Sequence, residues 1–175
     1  MKIIIISGKS GSGKSVAAAY LKKRLEDETN KVIITSFSKY LKIYAKEIID
    51  WDEKNKEEVR TFLQEIGDTI RDDMNYPYFL IDRMYKDIEV YSRFCQTVII
   101  DDARLVEELE FFKNEFEYCY LIHLYNTQKS KLNELQKSHN TEIELDSYQK
   151  FDYTICSDLK KDFERQLDIV VEEVR

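Results

Sequence analysis

Near the start of the chain, Gly8-Lys9-Ser10-Gly11-Ser12-Gly13-Lys14-Ser15 combine backbone-permissive positions with a lysine and a hydroxyl in fixed order. They fit G-x-x-x-x-G-K-[ST], a phosphate-binding loop, provided a strand precedes and a helix follows. Glycine lets the backbone take positive φ and approach a ligand closely, so that N–H groups can point at phosphate oxygens. Lys14 has the reach for β- and γ-phosphates, and the Ser15 hydroxyl is of the type that holds Mg²⁺. The chain has four glycines, and three of them fall in this window. Gly8, Lys9, Ser10, Gly11, Ser12, Gly13, Lys14, Ser15 and Val16 are therefore the expected ATP-binding residues, with Lys14 also catalytic.

A phosphate loop of this kind needs an acidic partner for the metal. Asp101 and Asp102 close the apolar run "TVIIDD" (Thr97–Asp102), where such a carboxylate belongs. With Ser15 they form the expected metal group. The structural alternative is a helix cap, which one of the two aspartates is free to supply.

A second set of residues lies between Lys56 and Met74. Arg60, Gln64, Gly67 and Arg71 fall at i, i+4, i+7 and i+11, one stripe of a helix. Beside it runs an apolar stripe of Val59, Phe62, Leu63, Ile66 and Ile70. Glycine inside a helix costs about 1 kcal/mol against alanine, so Gly67 suggests that a ligand or another backbone comes close, the alternative being helix–helix packing. Two flanking arginines suit a phosphate, since guanidinium pairs bidentately with its oxygens.

These residues need elements to position them. Lys2–Ser7 reads as a buried strand, Lys14–Glu28 as a helix and Lys31–Ser36 as a second strand. Helices are expected over Ser38–Ile49, over Lys56–Met74 and after Pro77. Thr97–Asp102 is a third strand, Leu105–Asn114 a helix, Tyr118–Leu124 a fourth strand, Asp152–Cys156 a fifth, and Asp158–Val174 a closing amphipathic helix. Alternating strands and helices give an α/β fold with a parallel sheet and right-handed crossovers. In an open sheet of this type ligands bind beyond the carboxyl ends of the strands, which puts the glycine-rich loop and the aspartates on one edge. The charged run "DEKNKEE" (Asp52–Glu58) reads as a solvated turn and helix start.

The 175 residues suit one domain, here 1–175, and their formal net charge of −7 opposes a general nucleic-acid-binding surface. A phosphorylated small molecule needs only a local positive pocket. Cys95, Cys119 and Cys156 are too scattered for a disulfide framework or a zinc site. No run approaches the length of a membrane span, no signal peptide is visible, and the cytoplasm is the expected location. His123 reads as a strand-end residue and His139 as a surface or lid residue. Tyr76, Tyr78 and Phe79 beside Pro77 could stack on a base or fill core.

Together the segments resemble bacteriophage-type deoxynucleoside monophosphate kinases. "VRTFLQEIGDTIR" is similar to their R-x-x-L-Q-x-x-G-T-x-x-x-R stretch. "SFSKYLK" (Ser36–Lys42) is similar to F-A-x-x-L-K, which brings in Ser36 and Lys42. "IIDDARLVEELEFFK" resembles D-x-R-x-x-x-E and singles out Asp102, Arg104 and Glu108. "HNTE" followed by "FDYTICSD" resembles the close of the chain in that family. The resemblance implies an adenylate-kinase-like P-loop fold with a five-stranded parallel sheet, ATP and Mg²⁺ at the loop, and a lid over about 126–150. It implies a nucleotide acceptor held by Ser36, Lys42, Arg60, Gln64, Gly67, Arg71 and Arg104, with Asp102 and Arg104 catalytic. Such lids open with an arginine where this chain offers Lys129 and Lys131, and Ser157 stands where an asparagine is usual. Dephospho-coenzyme A kinases and phosphomevalonate kinases share much of this architecture. A nucleotide-binding regulatory ATPase is the reading from another class. Partners beyond nucleotide substrates are not implied; the chain would be a monomer or homodimer, with no nucleic acid and no membrane bound.

Overall fold

The computed structural model describes residues 1–127 and 139–175. Five strands form one parallel sheet in the order β2-β3-β1-β4-β5: β1 (Lys2–Gly8), β2 (Val32–Thr35), β3 (Thr97–Ala103), β4 (Cys119–Tyr125) and β5 (Tyr153–Cys156). Around it lie α1 (Lys14–Leu25), α2 (Lys39–Ile49), α3 (Lys56–Asp68), α4 (Phe79–Tyr91), α5 (Val106–Glu115) and α6 (Lys160–Val174). A short return segment, helical over Asn140–Ile143 and 3-10 over Glu144–Ser147, leads into β5.

The isoleucine run of β1 is continuous because both faces of the central strand are covered. Ile4 and Ile6 pack with Ala17, Leu21, Phe163, Leu167 and Val171 of α1 and α6. Ile3 and Ile5 pack with Ile81, Met84, Ile88, Leu109 and Phe112 of α4 and α5. All four isoleucines are fully buried, each worth roughly 1.5–3 kcal/mol in transfer from water.

Two expected boundaries move for local reasons. The helix read as Lys14–Glu28 stops at Leu25, because the Asp27 carboxylate turns back to accept from the N–H groups of Thr29 and Asn30 at 2.7 and 2.9 Å. The helix read as Lys56–Met74 changes register after Asp68 into a π turn over Thr69–Asp73, where Met74 N–H donates to Thr69 O at 3.0 Å.

The pairing of β1 with β3 carries one irregularity that matters for the site. Ile5 pairs with Ile100, but Ser7 pairs with Ala103, so Asp101 and Asp102 together oppose the single residue Ile6. This is a β-bulge, and it re-aims two adjacent side chains.

Candidate active site

The loop after β1 wraps its own carboxyl end. Gly8 has φ +138°, and a Cβ there would lie 2.2 Å from Leu124 O, so only glycine fits. Gly13 adopts the left-handed conformation that turns the chain into α1. Lys14 Nζ donates to the carbonyls of Gly8 at 2.6 Å and Lys9 at 2.9 Å, folded over the cradle. Ser12 is 2% exposed, and its hydroxyl is a buried polar atom with no partner. An orphaned hydroxyl in a glycine-rich loop that leads into a helix N-terminus fits an anionic ligand such as a phosphate chain. Val16 projects outward from α1 and is 64% exposed.

The bulge on β3 splits the two aspartates. Asp101 Oδ2 accepts from Ser15 Oγ at 3.1 Å. Burial, and then the neighbouring Asp102 charge, raise its carboxyl above the usual carboxylate range. Asp102 turns the other way, accepting from the backbone N–H groups of Phe37 at 2.7 Å and Ser38 at 3.0 Å and from the Ser38 hydroxyl. Of the two aspartates expected at the metal, Asp102 has both oxygens engaged at the entry to α2, and Asp101 faces Ser15. A hydroxyl beside a carboxylate of raised pKa fits Mg²⁺, which takes few protein ligands besides phosphates and water. Among the described residues no group of three or more His, Cys, Asp or Glu side chains gathers into a metal cage.

Between the loop and the α2–α3 pair opens a cleft of about 310 Å³. The stripe read from sequence faces it: Arg60, Gln64, Gly67 and Arg71 all line the cleft, together with Lys14, Ser15, Lys42, Asp101, Asp102, Arg104 and Glu108. Ser36 does not; it lies within 3.5 Å of the Lys42 ammonium as its hydrogen-bond acceptor. Arg60 donates to Ser10 Oγ at 2.9 Å and so joins α3 to the phosphate loop. Arg71 pairs with Asp68, and a Cβ on Gly67 would lie 3.2 Å from Arg71 Nη1. The close approach that Gly67 permits is therefore that of the arginine of its own stripe. Gln64 Nε2 is buried and without a partner.

Several features were not legible beforehand. Glu108 is 4% exposed, and its carboxylate accepts from the N–H groups of Arg104 at 2.7 Å and Leu105 at 3.0 Å. Burial pushes its carboxyl up to about 7. The return segment is tied at three places around the cleft. His139 Nε2 lies 3.0 Å from Asp68 Oδ2, Glu144 accepts from Val106 N–H at 2.7 Å, and Asp146 pairs with Lys9 at 2.7 Å. The rest of the expected lid, with Lys129 and Lys131, falls in 128–138, outside the described residues. Ser157 lies against Gly13, its Cβ 3.6 Å from where a glycine side chain would begin. His123 sits at the end of β4, 3.1 Å from Ser7 Oγ and against the Phe151 ring. Tyr76 and Tyr78 are exposed and, with Phe79, lie outside the main cleft. The aromatic residue with surface in that cleft is Trp51, which the sequence reading passed over because the charged run after it looks like a plain turn. Its signal was that it is the only tryptophan.

A parallel sheet with a phosphate loop after the central strand, an acidic strand end beside it and a cleft with a cationic wall opposite is the P-loop kinase fold. A family model described as phosphomevalonate kinase matches residues 6–118, and the chain belongs to that family. The matched model is thus not the bacteriophage-type kinases that the motifs resemble. Solved structures with a similar fold include the shikimate kinase of Aquifex aeolicus, at 14% identity, TM-score 0.54, covering 98% of this chain and 96% of that one. The shikimate kinase of Bacteroides thetaiotaomicron matches at 14% identity and TM-score 0.51, covering 99% and 98%. A sugar kinase from Janibacter sp. HTCC2649 matches at 11% identity and TM-score 0.50, covering 98% and 93%. At such identities the likeness is one of fold. No curated protein sequence matches. P-loop kinases generally use ATP and Mg²⁺. Among the described residues no helix is long and apolar enough to cross a membrane.

Proposed function

We propose that the protein transfers the γ-phosphoryl group of ATP to the phosphate of a nucleoside or deoxynucleoside monophosphate. The observation that carries this reading is the α3 stripe: Arg60, Gln64, Gly67 and Arg71 line one cleft with Lys14 of the phosphate loop. Phosphoryl transfer asks little covalent chemistry of a protein; it asks for two anionic groups in line and their charge neutralised. Lys14 and the loop N–H groups hold the donor phosphates. Ser15 and Asp101 would hold Mg²⁺, which supplies charge neutralisation between donor oxygens. Arg71, Arg104 and Lys42 face the acceptor phosphate, and Arg60 sits between the two halves. Asp102 fixes the start of α2 and so the wall of the acceptor side. Asn126 donates to Gly11 O at 2.8 Å, and Asp146 pairs with Lys9, so both ends of the expected lid meet the loop. Closure there would exclude water, which would otherwise compete as phosphoryl acceptor.

The family match favours a second reading, phosphomevalonate as acceptor. Both acceptors are phosphate monoesters, and the arginines suit either. ADP release measured with Mg²⁺-ATP against a panel of monophosphates, phosphomevalonate and no acceptor decides between them. Stimulation by nucleotides supports the first reading. Stimulation by phosphomevalonate alone replaces it with the second. Equal ADP release with and without every acceptor removes both and leaves a regulatory ATPase.

A further inference from the structure

The cleft has a cationic wall and an apolar wall, and the apolar wall is uneven. Phe37, Leu41 and Val59 are buried, with little surface left for a ligand. Trp51, Leu63 and Leu80 are half-buried and line the same space. Trp51 is thus the aromatic ring among the described lining residues that has surface to offer. Its polar edge is already satisfied, since indole Nε1–H donates to Lys54 O at 2.5 Å within its own turn. That turn is built at some cost: Asp50, Glu53 and Asn55 all have positive φ, at 52°, 66° and 53°. A solvated linker needs neither the strain nor the indole.

A second observation points to the same ligand. Gln64 Nε2 lies in the cleft wall, buried and with no acceptor. A buried amide donor left unpaired is costly, so it implies a missing acceptor. A phosphate would be served by the arginines; an amide donor and an indole lining one cleft match a planar heterocycle that carries a carbonyl.

We propose that Trp51 and Gln64 form the base site of the acceptor, the indole face stacking on the ring and the Gln64 amide donating to a ring carbonyl. This rests on the nucleoside monophosphate reading and names the specificity device within it.

Because Trp51 is the only tryptophan, its emission reports the site directly. Wild-type protein is titrated with Mg²⁺ and a non-hydrolysable ATP analogue, then with dTMP, dGMP, dAMP, phosphomevalonate and base-free deoxyribose 5-phosphate. Turnover is measured with the same acceptors for wild type, Trp51→Phe, Trp51→Leu and Gln64→Leu. The expected result is a change in emission with dTMP and dGMP and none with deoxyribose 5-phosphate. Trp51→Leu raises acceptor KM about ten- to a hundredfold with kcat nearly kept, while Trp51→Phe stays within about threefold. Gln64→Leu penalises dTMP and dGMP at least tenfold more than dAMP, which has no carbonyl. Nucleotide turnover with unchanged emission and an unchanged KM in Trp51→Leu overturns the base site and leaves the kinase reading standing. Turnover of phosphomevalonate with no nucleotide accepted overturns both. If Trp51→Leu fails to fold, the wild-type titration decides alone.

Discussion

Arg60 of α3 donates to Ser10 Oγ of the phosphate loop at 2.9 Å, across 50 residues of sequence. The helix that lines the proposed acceptor side therefore touches the phosphate loop, and the arginines of its stripe are not equivalent. Arg60→Ala is expected to weaken ATP and acceptor binding together. Arg71→Ala, which removes a guanidinium held by Asp68 and not by the loop, is expected to weaken the acceptor alone. Loss of a charge-assisted contact of roughly 1.5–3 kcal/mol corresponds to about ten- to a hundredfold in affinity. Calorimetric titration of each variant with ATP and with acceptor separately checks it; equal losses for both ligands in Arg71→Ala would refute the division.

Lys14→Ala is expected to abolish turnover while the fold persists. The Lys14 ammonium bonds two loop carbonyls, of Gly8 and Lys9. Turnover and circular dichroism melting on one sample test this. Undiminished turnover in a folded variant would remove the phosphate-loop assignment.

Gly67→Ala should separate stability from function. Gly67 sits in α3 without a positive φ, so alanine gains up to about 1 kcal/mol of helix propensity. Its Cβ would press on the Arg71 guanidinium at 3.2 Å, a flexible end that can move aside. The expected outcome is an equal or higher melting temperature with a several-fold higher acceptor KM. A lower melting temperature with unchanged KM would make Gly67 a packing site only.

Glu108 gives a pH signature. Burial raises its folded pKa to about 7, from an ordinary value of 4.5. Between those two pH values the folded chain holds a proton that the unfolded chain has released, so stability falls as pH rises through that window. The full loss, present above pH 7, is on the order of 3 kcal/mol. Glu108→Gln keeps an acceptor for the Arg104 and Leu105 N–H groups and removes the titration. Its melting temperature should therefore gain on wild type steadily from pH 4.5 to 7. Parallel melting curves across that range would contradict the raised pKa.

The strands and the phosphate loop were legible because their signals are local: a β-branched run, then glycines, lysine and serine at fixed spacing. The α3 stripe was legible because 3.6-residue periodicity puts Arg60, Gln64, Gly67 and Arg71 on one side whatever that side meets. What the stripe meets was not legible. That Arg60 reaches Ser10 depends on how α3 docks. That Asp101 and Asp102 part company depends on one extra residue in β3 relative to β1, a property of the pair of strands and not of either alone. Glu108 was singled out by resemblance alone, since nothing in its neighbours tells that it is buried with the N–H groups of Arg104 and Leu105 upon it. Trp51 was hidden by the charges that follow it.

The bulge in β3 has a mechanical side. One peptide plane joins Asp101, whose carboxylate answers to Ser15, and Asp102, whose carboxylate grips the first N–H groups of α2. Substituting Asp102 would release the first N–H groups of α2 within one residue of the Ser15 contact. The entry to α2 and the Ser15–Asp101 pair are thus anchored on neighbouring residues of a single strand end.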